Sequence, residues 1–124
     1  MSAERLPFIR IRSRLTTIIR YSGNHDDIHR ALTRDISVDG LCLLTETPLK
    51  MRELIGVELK LPDRETPISF TGEVLWHQKL GDTSQGEESN IENGIRFVTI
   101  TRKDRQLLMQ WVALHALHPD LGDR

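Results

Sequence analysis

The chain has 124 residues, 38% of them hydrophobic and 28% charged, with a formal net charge of −1. That length suits one domain around one core, and that balance excludes a disordered chain. Near-neutral charge excludes the basic field of a protein that holds nucleic acid or an acidic membrane through charge alone.

The positive charge is carried by arginine, because only Lys50, Lys60, Lys79 and Lys103 of the 17 basic residues are lysine. Arginine grips phosphate bidentately and stacks on planar bases, although a GC-rich genome also favours its codons. The one cysteine, Cys42, excludes an internal disulfide and a cysteine-based zinc site. The opening MSAERLPFIRIR carries Glu4 and Arg5 and lacks the apolar stretch of a signal peptide. No apolar run reaches bilayer-crossing length. The expectation is a cytoplasmic protein without membrane insertion.

The predicted elements begin with an apolar, β-branched strand over Leu15–Tyr21, followed by turn formers from Ser22 to Asp27. A return strand is expected over Ile28–Asp35, and a short apolar one over Leu41–Thr45. Ile55, Val57, Leu59 and Leu61 alternate with polar or small residues, the period of a half-buried strand. Ile68, Phe70, Val74 and Trp76 share a parity that places Trp76 in or near the core. Residues 81–93 are polar, acidic and glycine-containing, and predict a mobile loop. A last strand is expected from Gly94 to Ile100.

From Thr101 the period changes. Thr101 suits an N-cap with Asp104 three residues on, and Leu107, Leu108, Trp111, Val112 and Leu114 follow helical spacing. Pro119 and Gly122 come after it, and His115 and His118 suit the negative end of its dipole. Several antiparallel strands and one amphipathic helix predict a small β-barrel or sandwich with the helix packed on it.

Two motifs carry the chemistry. Arg10 and Arg14 form R-x-x-x-R just before the first strand, and Asp35, Ser37 and Gly40 form D-x-S-x-x-G between the second and third. The first is weak alone, since Arg30 and Arg34 repeat it. The second fixes three less common residues. On a strand Asp35 and Ser37 share a face, Gly40 permits a turn or a close ligand approach, and a carboxylate beside a hydroxyl can pair with a purine edge such as that of guanine. Arg12 lies between the motif arginines and is a candidate phosphate contact by proximity; Arg34 and Trp76 are secondary candidates. Arg34 and Arg96 read first as solvated strand residues, and Cys42 as a small buried hydrophobe. His25 and His29 beside Asp26 and Asp27 sit in a turn without a preformed metal site, so no metal is expected. No nucleophile, base and orienter converge on a recognisable catalytic motif, so no enzyme is expected.

The two motifs, in this order and at this spacing, resemble the PilZ family. Gly72-Glu73-Val74-Leu75-Trp76, Asn93-Gly94-Ile95-Arg96-Phe97 and the helix from Thr101 look like its later strands and C-terminal helix. The resemblance covers nearly the whole chain. It implies a mainly β fold, a six-stranded antiparallel barrel with a C-terminal helix against it, and one domain over 1–124. Within that domain, residues 1–14 would form a flexible arginine segment, about 15–100 the barrel and about 102–117 the helix. It implies a receptor for the bacterial second messenger cyclic di-GMP, with no further cofactor. Arg10 and Arg14 would hold its phosphates and stack on guanine, and Asp35, Ser37 and Gly40 would form the barrel-side base surface. Occupancy would be relayed in trans to a partner protein controlling motility, pili, exopolysaccharide or virulence. The alternative is a PilZ adaptor acting by protein contact without ligand. A nucleic-acid-binding barrel would want a basic groove with exposed aromatics, which this composition does not offer.

Overall fold

In the segment Leu54–Leu59, Ile55, Val57 and Leu59 are buried and the residues between them are not, so one face of the strand lies on a core. The same alternation runs through the first half of Ile68–Lys79, and these strands assemble around one interior. The computed structural model describes residues 11–21, 24–80 and 91–117. It comprises β1 (Ile11–Arg12), β2 (Thr16–Tyr21), β3 (Asn24–Ile36), β4 (Gly40–Thr45), β5 (Leu54–Leu59), β6 (Ile68–Lys79), β7 (Ile91–Ile100) and α1 (Arg102–Leu117).

All strand pairs are antiparallel, in the order β1-β3-β2-β5-β6-β7-β4, and β3 also pairs with β4. That last pairing closes β2–β7 into a six-stranded barrel, which removes the open sheet edges. Ile19, Ile36, Leu43, Ile55, Leu59, Ile68 and Val74 fill it, and Phe70 meets Phe97 edge-on with ring centres 4.5 Å apart. Leu108, Trp111 and Val112 of α1 are buried in the same core.

Ahead of the barrel's first strand, the chain forms a short extra strand that the sequence reading did not expect. β1 occupies the edge of β3 that β2 leaves at Leu32, with Ile11 opposite Ile36 and Arg12 opposite Asp35. Ile11, Ser13 and Leu15 point inward and are buried, whereas Arg12 and Arg14 are exposed. Thr33, fully buried, holds this segment: its hydroxyl accepts from the Leu15 amide at 2.8 Å and donates to the Ser13 carbonyl. Two apolar anchors and a buried hydroxyl bridge therefore dock the arginine-bearing segment from Ile11 onward.

β3 starts at Asn24 rather than Ile28, and Tyr21 pairs with Asn24. β7 starts at Ile91 rather than Gly94, because the Asn93 side chain is fully buried. Its Nδ2 donates to Thr45 Oγ1 (2.8 Å) and the Leu43 carbonyl (3.2 Å), and its Oδ1 accepts from the Leu49 amide (3.0 Å). Residues 81–90 of the expected loop, and His25 and His118, lie outside the described residues or side chains. The helix starts as expected: Thr101 Oγ1 accepts from the Asp104 amide at 3.1 Å. Asp104 Oδ2 accepts instead from the Ser69 amide at 3.1 Å, which ties the first turn of α1 to β6. At the other end His115 Nδ1 donates to the Trp111 carbonyl at 2.9 Å, its ring 4.1 Å from the indole.

Candidate functional site

Two irregularities in pairing create a concavity on this barrel. Register shifts in the β6–β7 pairing between Thr71 and Gly72 and between Val74 and Trp76 turn the later residues of β6 over. Trp76 is consequently 42% exposed. This corrects the parity reading that placed it in the core: period two holds only while the ladder is regular. The freed indole lies over Gly94, where any β-carbon would collide with it. Gly40 likewise has no room for a β-carbon against the Ile95 carbonyl.

The result is a cleft of about 490 Å³. Arg34 and Asp35 come from β3, Val38 and Asp39 from the β3–β4 turn, and Gly40 and Cys42 from β4. Trp76 comes from β6, Gly94, Arg96 and Phe97 from β7, and Arg105 from α1. An aromatic face, backbone exposed at glycine, a half-buried carboxylate and three guanidinium groups suit a planar, anionic, polar ligand.

The three arginines differ in what holds them. Arg34 pairs with the buried carboxylate of Glu92, whose other oxygen accepts from Gln78 Nε2 at 2.8 Å. Arg34, its side chain still 40% exposed, is thus a solvated strand residue that is also held in an ion pair. Arg96 donates through Nη2 (2.6 Å) and Nε (3.2 Å) to one oxygen of Glu73, and Arg52 reaches the other at 3.4 Å. The hydrogen bond from Arg96 is the main reason the Glu73 carboxyl titrates below its ordinary value, with the Arg52 guanidinium adding to it. Arg105 makes no side-chain hydrogen bond or ion pair among the described residues.

The structure brings some of the sequence-predicted residues together and separates others. Asp35, Gly40, Arg34 and Trp76 line the cleft. Arg12 is exposed opposite Asp35, and Arg14 is exposed on the same docked segment without lining the cleft. Arg10 lies outside the described residues. Ser37 follows the end of β3 at Ile36 and does not line the cleft. Its side chain is buried in the turn: the hydroxyl donates to the Asp39 carboxylate and lies 3.1 Å from the Gly40 carbonyl, which also accepts from the Ser37 amide at 2.9 Å. The serine shapes the turn that presents Gly40.

Sequence reasoning missed Gly94, Arg96 and Arg105 as cleft residues. A small residue facing an aromatic across two strands would have signalled Gly94, but only with the register known. Arg105 had no local signal, since helix and cleft meet only in three dimensions.

The architecture is a small antiparallel barrel with a docked helix and a lateral cleft. The PilZ domain profile matches residues 3–114; the chain belongs to that family. Its fold resembles that of the Bacillus subtilis inhibitor of motility MotI/DgrA, with TM-score 0.74 and 19% identity over 92% of this chain and 52% of that one. The PilZ domain of YcgR from Escherichia coli, solved with c-di-GMP, matches with TM-score 0.70 and 16% identity over 97% of this chain and 98% of that one. The K. pneumonia MrkH–c-di-GMP complex matches with TM-score 0.71 and 19% identity over 97% and 55%. The chain thus spans about half the length of MotI and of MrkH. No curated relative matches it. No helix among the described residues is long and apolar enough to cross a membrane.

Proposed function

We propose that this domain is a cytoplasmic receptor for cyclic di-GMP, binding it in the cleft under an arginine clamp from Arg10 and Arg14 and relaying occupancy to a partner protein rather than catalysing a reaction. The observation that carries this reading is the convergence of Asp35, Gly40 and Trp76 on one cleft, beside a docked segment whose Arg12 sits opposite Asp35. Asp35 accepts from the N1–H and amino group of a guanine, the Trp76 face stacks on a base, and Gly40 lets the ligand approach the backbone. The arginines of the N-terminal segment take the phosphates. Capped by the ligand, that segment presents a new surface, which is the physical basis of a relay. Family membership and the c-di-GMP complexes of YcgR and MrkH support the choice of ligand.

Calorimetric titration with cyclic di-GMP, with GTP as control, tests this. Saturable binding is expected. Arg14→Ala is expected to weaken it at least about tenfold, the effect of one charge-assisted hydrogen bond, without changing the melting temperature, because Arg14 is exposed. A folded, nucleotide-free protein that takes up no cyclic di-GMP would sink the reading and leave the ligand-independent adaptor.

A further inference from the structure

Three guanidinium groups line the cleft, and two of them are already engaged by carboxylates. Arg34 is held by Glu92, and Arg96 is held twice by Glu73. Each therefore has part of its donor fork occupied before an anion arrives. Arg105 has no such commitment among the described residues. Among the described residues it is also the one cleft cation not carried by the barrel, since it belongs to the first turns of α1.

Its backbone is nevertheless anchored. The Thr101 cap accepts from the Asp104 amide, Asp104 is fastened to the Ser69 amide of β6, and the Arg105 amide donates to the Thr101 carbonyl at 2.9 Å. Leu108, Trp111 and Val112 of the same helix are buried in the core. Another part of the lining is fixed too, because the Phe97 amide donates to the Asp39 carbonyl at 3.1 Å and so ties the β3–β4 turn to β7. An uncommitted guanidinium on an anchored turn, at the mouth of a cleft walled by an exposed indole, is a pre-positioned anion contact.

We propose that Arg105 is a ligand-binding residue, taking a phosphate of the bound cyclic dinucleotide from the helix wall of the cleft. The inference rests on the cyclic di-GMP reading above and extends it. The ligand is gripped from two elements, the segment before β2 and the helix, so both halves of the clamp are needed for full affinity.

The test is calorimetric titration of cyclic di-GMP into the wild type, Arg105→Ala, Arg105→Lys and Arg14→Ala, with thermal melts of each without ligand and at saturation. Arg105→Ala is expected to bind at least about tenfold more weakly, as loss of one charge-assisted hydrogen bond implies. Arg105→Lys is expected to fall between alanine and wild type, because it keeps the charge and loses the fork. The ligand-free melting temperature is expected to be unchanged, because Arg105 is exposed, while the ligand-induced rise shrinks with affinity. Arg105→Ala binding within twofold of wild type, with Arg14→Ala weakened, would overturn this inference alone and leave the receptor reading standing. Arg105→Lys no better than alanine would overturn the phosphate assignment. A wild type that does not bind would overturn the receptor reading and this inference with it.

Discussion

Two glycines of the cleft have no room for a side chain, but what stands in the way differs. At Gly40 the obstacle is the Ile95 carbonyl, part of the β4–β7 ladder; at Gly94 it is the Trp76 indole, exposed and able to swing away. Gly40→Ala is therefore expected to destabilise the fold by about 1–3 kcal/mol or more, as overpacking against fixed atoms does. Gly94→Ala is expected to melt close to wild type while shifting Trp76 fluorescence and weakening ligand binding. Paired melts and fluorescence spectra check this, and equal loss of stability in both variants would refute it. Glu73 offers a separate check on the cleft's charge. Its carboxyl titrates below its ordinary value chiefly through the hydrogen bond from Arg96. A depressed folded-state value means the contribution of the pair is complete above the unfolded-state value and disappears as pH falls through the folded one. A carboxyl-carbon NMR titration is expected to show the depressed midpoint, and Arg96→Ala to raise it toward the ordinary carboxylate range. A midpoint that ignores the substitution would remove Arg96 as the cause.

Among the elements, β1 and the β3–β4 turn decide how the two sequence motifs reach the cleft, and both were only partly legible. Alternation along strands was read correctly wherever the ladder is regular, as for Ile55, Val57 and Leu59. It failed at Trp76, where a register shift intervenes. A period can be counted in a sequence, but a bulge depends on the partner strand. The docking of residues 11–15 was equally hidden. Its signal, Ile11, Ser13 and Leu15 at period two, is short, and its clamp Thr33 is distant in sequence. Thr33→Val keeps the shape of the side chain and leaves the buried Leu15 amide and Ser13 carbonyl without their partner. The expected loss is about 1–3 kcal/mol, with faster hydrogen exchange at Leu15. If Arg12 and Arg14 serve the ligand, affinity falls in the same variant although Thr33 lies outside the cleft. Unaltered exchange at Leu15 would mean that the hydroxyl does not hold the segment.

For the whole molecule, the order of elements and the helix at Arg102–Leu117 were legible because each is a local pattern. Closure was legible only through the family resemblance, since in the chain itself it depends on β3 pairing with β4 as well as with β2. What links closure to the helix is the shared core. Leu108, Trp111 and Val112 fill space that the strands leave, and the Asp104–Ser69 hydrogen bond fixes where the helix starts. The helix is thus part of the folding unit, and a barrel deprived of it would expose apolar interior. Trp111→Ala tests that dependence. Removing a buried tryptophan costs about 3–5 kcal/mol, a large share of the roughly 5–15 kcal/mol that holds a domain folded. One cooperative denaturant transition at a lower midpoint is expected, with helix and sheet signals lost together. Two separated transitions, helix first and barrel later, would show that the barrel stands without the helix. Arg105 would then ride on a detachable element rather than on a fixed wall of the cleft.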